Sequence, residues 1–291
     1  NRQLRSAGIR FLSDTNENIT NVTEDDVVIL PAFGVTIASL EQLTHCGCTL
    51  VDTTCGSVLN VWKNVRQYAR DGYTAVIHGK VKHEETQATA SQASTTFQGR
   101  YLIILDRDEA AELCRYITGD ISEAEFRSRF EHACSEQFKP SRDLQCVGLA
   151  NQTTMLMSES LAIGQMIRDA MVDRYGEDRI DEHYRAFDTI CSATQDRQDA
   201  VEDLLNSYKL DLSIVIGGYN SSNTRNLARM CSKQVPTYHI AEPDCLISDS
   251  SVVHLPVSET TGQPSETTEP WLPTEGPITI GITAGASTPD N

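Results

Sequence analysis

One local design occurs twice in this chain, and the repeat limits the fold more than any other feature. Val51-Asp52-Thr53-Thr54-Cys55-Gly56-Ser57-Val58 follows an apolar run that reads as a strand and leads into a helix. The helix is legible from its spacing: Val58, Val61, Trp62, Val65, Tyr68 and Ala69 fall at i, i+3, i+4, i+7. Cys55 therefore stands at a strand-to-helix turn, where free N–H groups favour a negatively charged sulfur. Phe187-Asp188-Thr189-Ile190-Cys191-Ser192-Ala193-Thr194-Gln195 repeats the arrangement, ahead of a helix carrying Val201, Leu204, Leu205 and Tyr208. Two Asp-Thr-x-Cys turns point to two similar units that share one ligand.

Strand and helix patterns alternate along the rest of the chain. Apolar runs predict strands at 26–30, 49–52, 74–78, 101–105, 146–150, 212–216, 235–240 and 278–283. Amphipathic patterns predict helices at about 107–118 and 122–134, and a long one with Ile163, Met166, Ile167 and Ala170 on one face. Residues 139–143 read as a turn and 181–185 as a polar link. Residues 248–275, rich in Ser, Thr, Pro and Glu, read as a surface excursion with one hairpin arm. This alternation predicts an α/β protein with parallel sheets whose chemistry sits at the strands' carboxyl ends. No Gly-x-Gly-x-x-Gly, Gly-x-x-x-x-Gly-Lys-[Ser/Thr] or Gly-x-Ser-x-Gly occurs, so dinucleotide, P-loop and nucleophile-elbow readings lack support.

Polar residues cluster at several of those strand ends. Gly79-Lys80-Val81-Lys82-His83-Glu84-Glu85-Thr86 brings His83, a hydrogen-bond donor for an anion, and Glu85, a proton source, to a helix start. A Glu in a first helical turn is also ordinary dipole complementation. Asn151-Gln152-Thr153-Thr154 either caps the next helix or turns hydroxyls into a site. Gly217-Gly218-Tyr219-Asn220-Ser221-Ser222-Asn223-Thr224 places more capping residues at one helix start than a cap uses, the composition of an anion cradle. Ala284-Gly285-Ala286-Ser287 ends the last strand with a similar turn. His45-Cys46-Gly47-Cys48, with Cys55, leaves a zinc site open as an alternative to a helix end with two half-buried thiols. Cys114 and Cys134 read as packing residues.

A net charge of −17 argues against broad nucleic-acid or anionic-membrane binding, while leaving room for a small anion in a local pocket. Nine scattered cysteines form no disulfide framework and suit a reducing compartment. No run of about 18 apolar residues reads as a membrane span, and no signal peptide is evident. The chain opens on Asn1 in mid-pattern and stops just after Ser287-Thr288-Pro289-Asp290, so it reads as a fragment without its true start.

The ordered set of motifs at 52–55, 83–86, 151–154, 188–191, 193–198, 220–223 and 283–287 resembles the LytB (IspH) family of 4-hydroxy-3-methylbut-2-enyl diphosphate reductases. Pro31-Ala32-Phe33-Gly34 and His83-Glu84-Glu85-Thr86 are most similar to its plant and cyanobacterial branch. The resemblance implies three similar α/β domains around a central 4Fe-4S cluster, here divided at 1–55, 56–186 and 187–291. It implies cluster ligation by Cys55 and Cys191. The third ligand cysteine belongs to a Cys-x-Gly-Val-type segment absent from this sequence. Glu85 is implied as proton donor, Thr153 as its assistant, and His83 as substrate ligand. Ser221, Ser222, Asn223 and Ser287 are implied as the diphosphate grip. The implied reaction removes an allylic hydroxyl, giving isopentenyl and dimethylallyl diphosphate. Ferredoxin or flavodoxin is the implied electron donor, and the cytoplasm or plastid stroma the implied location. A nonenzymatic phosphate-ligand module, or an inactive fragment, and a zinc enzyme are the competing readings. Two departures stand out: Gly56 replaces the proline that usually follows the cluster cysteine, and Phe33 occupies a diphosphate-contacting His position of the shorter bacterial branch.

Overall fold

The computed structural model describes residues 2–12, 19–95, 98–187, 191–257, 265–267, 271–286 and 288. The chain divides into two compact units, one of Asn1–Gln152 and Ala162–Thr189, the other of Thr153–Leu161 and Ile190–Asn291.

The first unit begins with α1 (Arg2–Ser6), followed by β1 (Val27–Leu30), α2 (Ile37–His45) and β2 (Thr49–Asp52). β1 and β2 pair in parallel, Val27 opposite Thr49 and Leu30 opposite Asp52. Val28, Leu30 and Leu50 pack with Val22 and Leu43, because alternate strand residues face one side. Next come α3 (Gly56–Arg70), β3 (Thr74–His78), α4 (Glu84–Thr95), β4 (Tyr101–Ile104), α5 (Arg107–Thr118) and α6 (Glu123–Phe130). The helical turn α7 (Pro140–Asp143) and β5 (Val147–Asn151) follow. α8 (Met157–Tyr175), α9 (Ile180–His183) and β6 (Tyr184–Ala186) complete this run.

β4, β3, β5 and β6 form a parallel sheet in that order. Every residue of β3 and β5 is buried, as a parallel sheet covered on both faces requires. Ala75 and Ile77 turn to α3 and α4, meeting Val61, Val65, Tyr68, Ala90 and Ala93. Val76 turns the other way, to Leu113 and Ile117 of α5, Phe126 and Phe130 of α6, and Ile163 and Ile167 of α8. All six apolar positions expected on one face of α3 are buried. Each such side chain contributes about 1.5–3 kcal/mol when fully buried, far more than helix propensity supplies.

The second unit contains α10 (Ser192–Ser207), β7 (Leu212–Ile216), α11 (Ser222–Ser232) and β8 (Thr237–Ile240). Then come β9 (Leu246–Ser248), β10 (Ser251–His254), β11 (Ser265–Thr267) and β12 (Ile280–Ala284). β12, β7 and β8 form a parallel sheet with β7 central. Val215 packs on Val201 of α10 and on Leu227, Ala228 and Cys231 of α11. Leu212 and Ile214 face the opposite side, toward Val252 and Trp271.

Three segments differ from the sequence reading. Residues 139–143 are a helical turn started by Pro140, a residue suited to the first helical position. The link at 181–185 contains α9 and β6, and β6 pairs with β5 as an edge strand too short to show periodicity. The excursion at 248–275 contains an antiparallel sheet with β10 between β9 and β11. Buried Val252 and Trp271 anchor it, and the Trp271 indole N–H donates to the Ser248 carbonyl at 2.7 Å. Among the described residues, no helix is long and apolar enough to cross a membrane.

Candidate functional site

The first unit holds the Cys55 turn and the His83–Glu85 helix start. Cys55 is the N-cap of α3, with extended backbone (φ −63°, ψ 141°) and an exposed side chain that makes no capping bond. The turn hangs from the end of β1: Cys55 N–H donates to the Ala32 carbonyl at 2.8 Å, and Thr53 N–H to the Leu30 carbonyl at 3.4 Å. Asp52 Oδ1 accepts the Thr54 hydroxyl at 2.6 Å and the Thr54 N–H at 2.8 Å. Those two bonds, the hydroxyl's first, hold the Asp52 carboxyl below its usual range. Nearby, Gly34 has φ +78°, and a Cβ there would lie 2.3 Å from the Trp62 ring, so this approach requires glycine.

Gly56 is the first residue of α3, and a Cβ there would meet nothing within 4 Å. The first helical N–H has no intrahelical partner, and the extended backbone of Cys55 is the one a following proline demands. The departure from proline thus leaves the turn's geometry intact and costs only unfolded-state entropy. Gly56→Pro should stabilise the fold by about 0.4–1 kcal/mol, read as a higher denaturant midpoint at unchanged slope. A lower midpoint would show that the Gly56 N–H is engaged.

His83 directly precedes α4 and caps it. Its carbonyl accepts the Gln87 N–H at 3.0 Å, and its Nδ1 accepts the Glu85 N–H at 3.2 Å. The second bond assigns the imidazole proton to Nε2. Burial pushes the His83 pKa down and Lys80 adds to that, against a smaller opposing pull from Glu84. His83 is therefore a neutral ring that can donate from Nε2 to an anion. Glu85, in the first turn, is only 3% exposed. Gln152 clamps the loop that carries both residues. Its N–H donates to the His78 carbonyl at 2.8 Å, and its Oε1 accepts the Thr86 hydroxyl at 3.1 Å and the Lys80 N–H at 3.2 Å. A Cβ at Gly79 would stand 2.8 Å from Thr86 Oγ1, so the clamp closes over a glycine. Sequence reasoning gave Gln152 no role; its place beside Thr153 in a polar quartet was the available signal.

The second unit holds Cys191, Thr153 and the start of α11. Cys191 is the N-cap of α10 with φ −73° and ψ 140°, nearly the backbone of Cys55. Its N–H donates to the Thr153 carbonyl at 3.3 Å, which makes the buried Thr153 its immediate neighbour. Gln198 fixes the following segment, accepting the Met157 N–H and donating to the Met155 carbonyl, each at 3.2 Å. Asn226 of α11 donates to the Thr154 carbonyl at 2.9 Å, linking that helix to the same segment.

Ser221 is the N-cap of α11, its Oγ accepting the Thr224 N–H at 3.3 Å. Ser222, Asn223 and Thr224 are all buried. Among the described residues, neither side-chain atom of Asn223 has a hydrogen-bond partner, although the residue is 2% exposed. A buried amide left unpaired at both ends is costly without a ligand. Two glycines bring neighbouring strand ends close: a Cβ would stand 2.7 Å from Thr224 Oγ1 at Gly217, and 2.1 Å from it at Gly285. The Gly285 N–H and the Thr288 hydroxyl both donate to the Ile216 carbonyl, at 2.9 and 3.1 Å. Ser287, and the lead-in Asp188-Thr189-Ile190 of the second cysteine turn, lie outside the described residues.

The thiols of the alternative zinc motif do other work. Cys46 Sγ lies 3.8 Å from the Ile19 carbonyl and Cys48 Sγ 3.5 Å from the Leu43 carbonyl, and both pack into the small core beneath β1 and β2. No group of three or more His, Cys, Asp or Glu among the described residues could hold a metal ion. Cys114 and Cys134 pack against the large core, and burial pushes their thiols up to about 11 and about 12.

A protein of Thermosynechococcus vestitus named 4-hydroxy-3-methylbut-2-enyl diphosphate reductase is 45% identical over 293 residues, covering 100% of this chain and 70% of its own length. The protein of that name from a Cyanothece species is 45% identical over 294 residues, with the same coverage. Among solved structures, the E-1-hydroxy-2-methyl-but-2-enyl-4-diphosphate reductase of Plasmodium falciparum shares the fold with a TM-score of 0.65 at 19% identity, over 99% of this chain and 70% of that one. A structure of (E)-4-hydroxy-3-methyl-but-2-enyl diphosphate reductase shares it with a TM-score of 0.53 at 23% identity, over 99% of this chain and 79% of that one. The family model described as LytB protein matches residues 1–291, and with every residue inside that match the chain belongs to the LytB family.

Proposed function

We propose that this chain carries out the reductive removal of the allylic hydroxyl of 4-hydroxy-3-methylbut-2-enyl diphosphate, giving isopentenyl and dimethylallyl diphosphate. The observation that carries this reading is the recurrence of one cysteine geometry: Cys55 and Cys191 are both helix N-caps of nearly the same backbone, each at least partly accessible. A thiol at a helix start suits iron–sulfur ligation, because the adjacent N–H groups stabilise the thiolate that metal requires. Cys55 and Cys191 would then serve as two ligands of a 4Fe-4S cluster, a group whose thiolate chemistry suits both helix starts. When bound, such a cluster supplies electrons one at a time and Lewis acidity. Three separate parallel sheets support a division into domains at 1–55, 56–186 and 187–291.

The chain's own residues account for the rest. Loss of the hydroxyl as water consumes two electrons and two protons, one of them for the departing oxygen. Glu85, buried at its helix start, delivers that proton. Thr153, adjacent to Cys191 through the backbone bond, assists it. His83 donates from Nε2 to the substrate. Ser221, Ser222, Asn223 and Ser287 hold the diphosphate, which does not react but orients the reacting carbon. Ferredoxin or flavodoxin supplies the electrons, in the cytoplasm or the plastid stroma.

The test is anaerobic turnover with a chemical reductant and assay of iron and sulfide, in a polypeptide joined to a Cys-x-Gly-Val segment that supplies the third thiol. Iron, sulfide and product are expected; stoichiometric zinc without sulfide would reject the reading. Asn223→Ala tests the diphosphate grip separately. It should raise KM by about 5- to 150-fold, the equivalent of about 1–3 kcal/mol for a lost charge-assisted bond. The unfolding midpoint should hold or rise, since the Asn223 amide bonds to no described residue. An unchanged KM would remove Asn223 from the site.

A further inference from the structure

Cys55 and Cys191 cap their helices with nearly the same backbone, but the residues three positions on differ. After Cys55 that position is Val58, buried against Trp62 and Ala88. After Cys191 it is Thr194, 1% exposed. Cys191 Sγ accepts the Thr194 N–H at 3.3 Å and lies 3.0 Å from Thr194 Oγ1, while Cys55 Sγ takes no capping bond. A protonated thiol donates to that hydroxyl; a sulfur carrying negative charge reverses the bond and makes the hydroxyl the donor.

We propose that Thr194 is a positioning residue that sets the reduction potential of the iron–sulfur centre through the Cys191 sulfur. This rests on the reading of Cys191 as a cluster ligand. Reduction adds negative charge that is shared by the ligand sulfurs, and a hydrogen bond to sulfur stabilises the reduced form more than the oxidised one. Burial shields the Thr194 bonds from competing water. Cys55 offers no counterpart, so of the two ligands in this chain only Cys191 carries the hydroxyl contact. The hydroxyl at this place is one difference between the two helix starts; the backbone N–H bond to the Cys191 sulfur is another.

Thr194→Val and Thr194→Ser separate the hydroxyl from the packing. Val keeps the shape and the backbone N–H bond and reproduces the side chain of the Cys55 turn; Ser keeps the hydroxyl. The holoenzyme is titrated anaerobically without substrate, its absorbance and electron paramagnetic resonance followed against applied potential. Val should lower the reduced-to-oxidised ratio at a given potential about tenfold, which is 59 mV for a one-electron couple. Ser should stay within about threefold of the wild type on the same scale. Uptake of the cluster by Ser but not by Val would also support the proposal, since the hydroxyl would then be needed to hold the sulfur. A Val variant that titrates with the wild type would overturn it, as would equal displacement by Val and Ser. Wild-type protein that binds no iron would reject the ligand reading itself, a result distinct from either.

Discussion

Glu85→Gln should lower anaerobic turnover by roughly 10²–10⁴, the usual share of general acid catalysis. Glutamine keeps the size and much of the hydrogen bonding of this buried, first-turn residue, but it cannot give up a proton. Iron and sulfide content should not change, because the proposed cluster ligands are cysteines. KM should change little, because the diphosphate grip is assigned to α11 and Ser287. The competing role is complementation of the α4 dipole, worth about 0.3–1 kcal/mol of stability. Under that role Gln lowers the unfolding midpoint slightly and leaves the rate near that of wild type. Near-wild-type turnover would move the proton source to another group. His83 is poorly suited to replace it: its Nδ1 is occupied by the Glu85 N–H, and burial holds the ring neutral.

The α/β class and the loops that carry polar residues were legible in the sequence because both rest on local pattern. The strands predicted at 49–52, 74–78 and 212–216 have those bounds in the structure. Their signal is a short apolar, β-branched run closed by a turn residue, and burial on both faces makes such runs continuous. The apolar stripe of α3 was equally plain. What the sequence hid depends on contacts between distant residues. β6 has only three residues and exists because β5 offers it an edge. The excursion at 248–275 was expected to carry one hairpin arm, but the third strand and the burial of Trp271 and Val252 that organises the sheet are invisible to periodicity. The candidate site divides in the same way. Cys55, Cys191, Glu85 and Asn223 stand out as chemistry at helix starts. Gln152 holds the loop that bears Glu85, and Gln198 and Asn226 hold the segment after Thr153, through backbone groups up to 72 residues away. A glutamine in a polar motif carries no local mark of which backbone group it will hold.

Acidification should weaken the fold through His78, and the size of that effect is the second large expectation. His78 is the last residue of β3, and its carbonyl accepts the Gln152 N–H that holds the loop bearing His83 and Glu85. Burial lowers its pKa from 6.5 to about 4, against smaller opposing pulls from a Leu105 backbone hydrogen bond and the Asp106 charge. Because the folded pKa lies below the unfolded one, the unfolded chain takes up the proton first as pH falls. The stabilisation is complete above pH 6.5, declines between 6.5 and about 4, and is gone below that. A shift of this size corresponds to about 3 kcal/mol, a large fraction of a typical domain's net stability. His83, His239 and His254, all with lowered pKa values caused first by burial, add losses of the same sign. His78→Gln removes the titrating group while retaining a donor and an acceptor. Denaturant midpoints measured from pH 7.5 down to about pH 4 should fall less steeply in the variant than in the wild type, the two curves converging by about 2–3 kcal/mol. The variant will be the less stable at neutral pH, so the comparison is of slopes. Parallel curves would show that His78 does not titrate in this range, and the acid sensitivity would then belong to the other three histidines. Convergence confined to the window between pH 6.5 and about 4 would instead assign it to a neutral, buried imidazole at the base of the Glu85 loop.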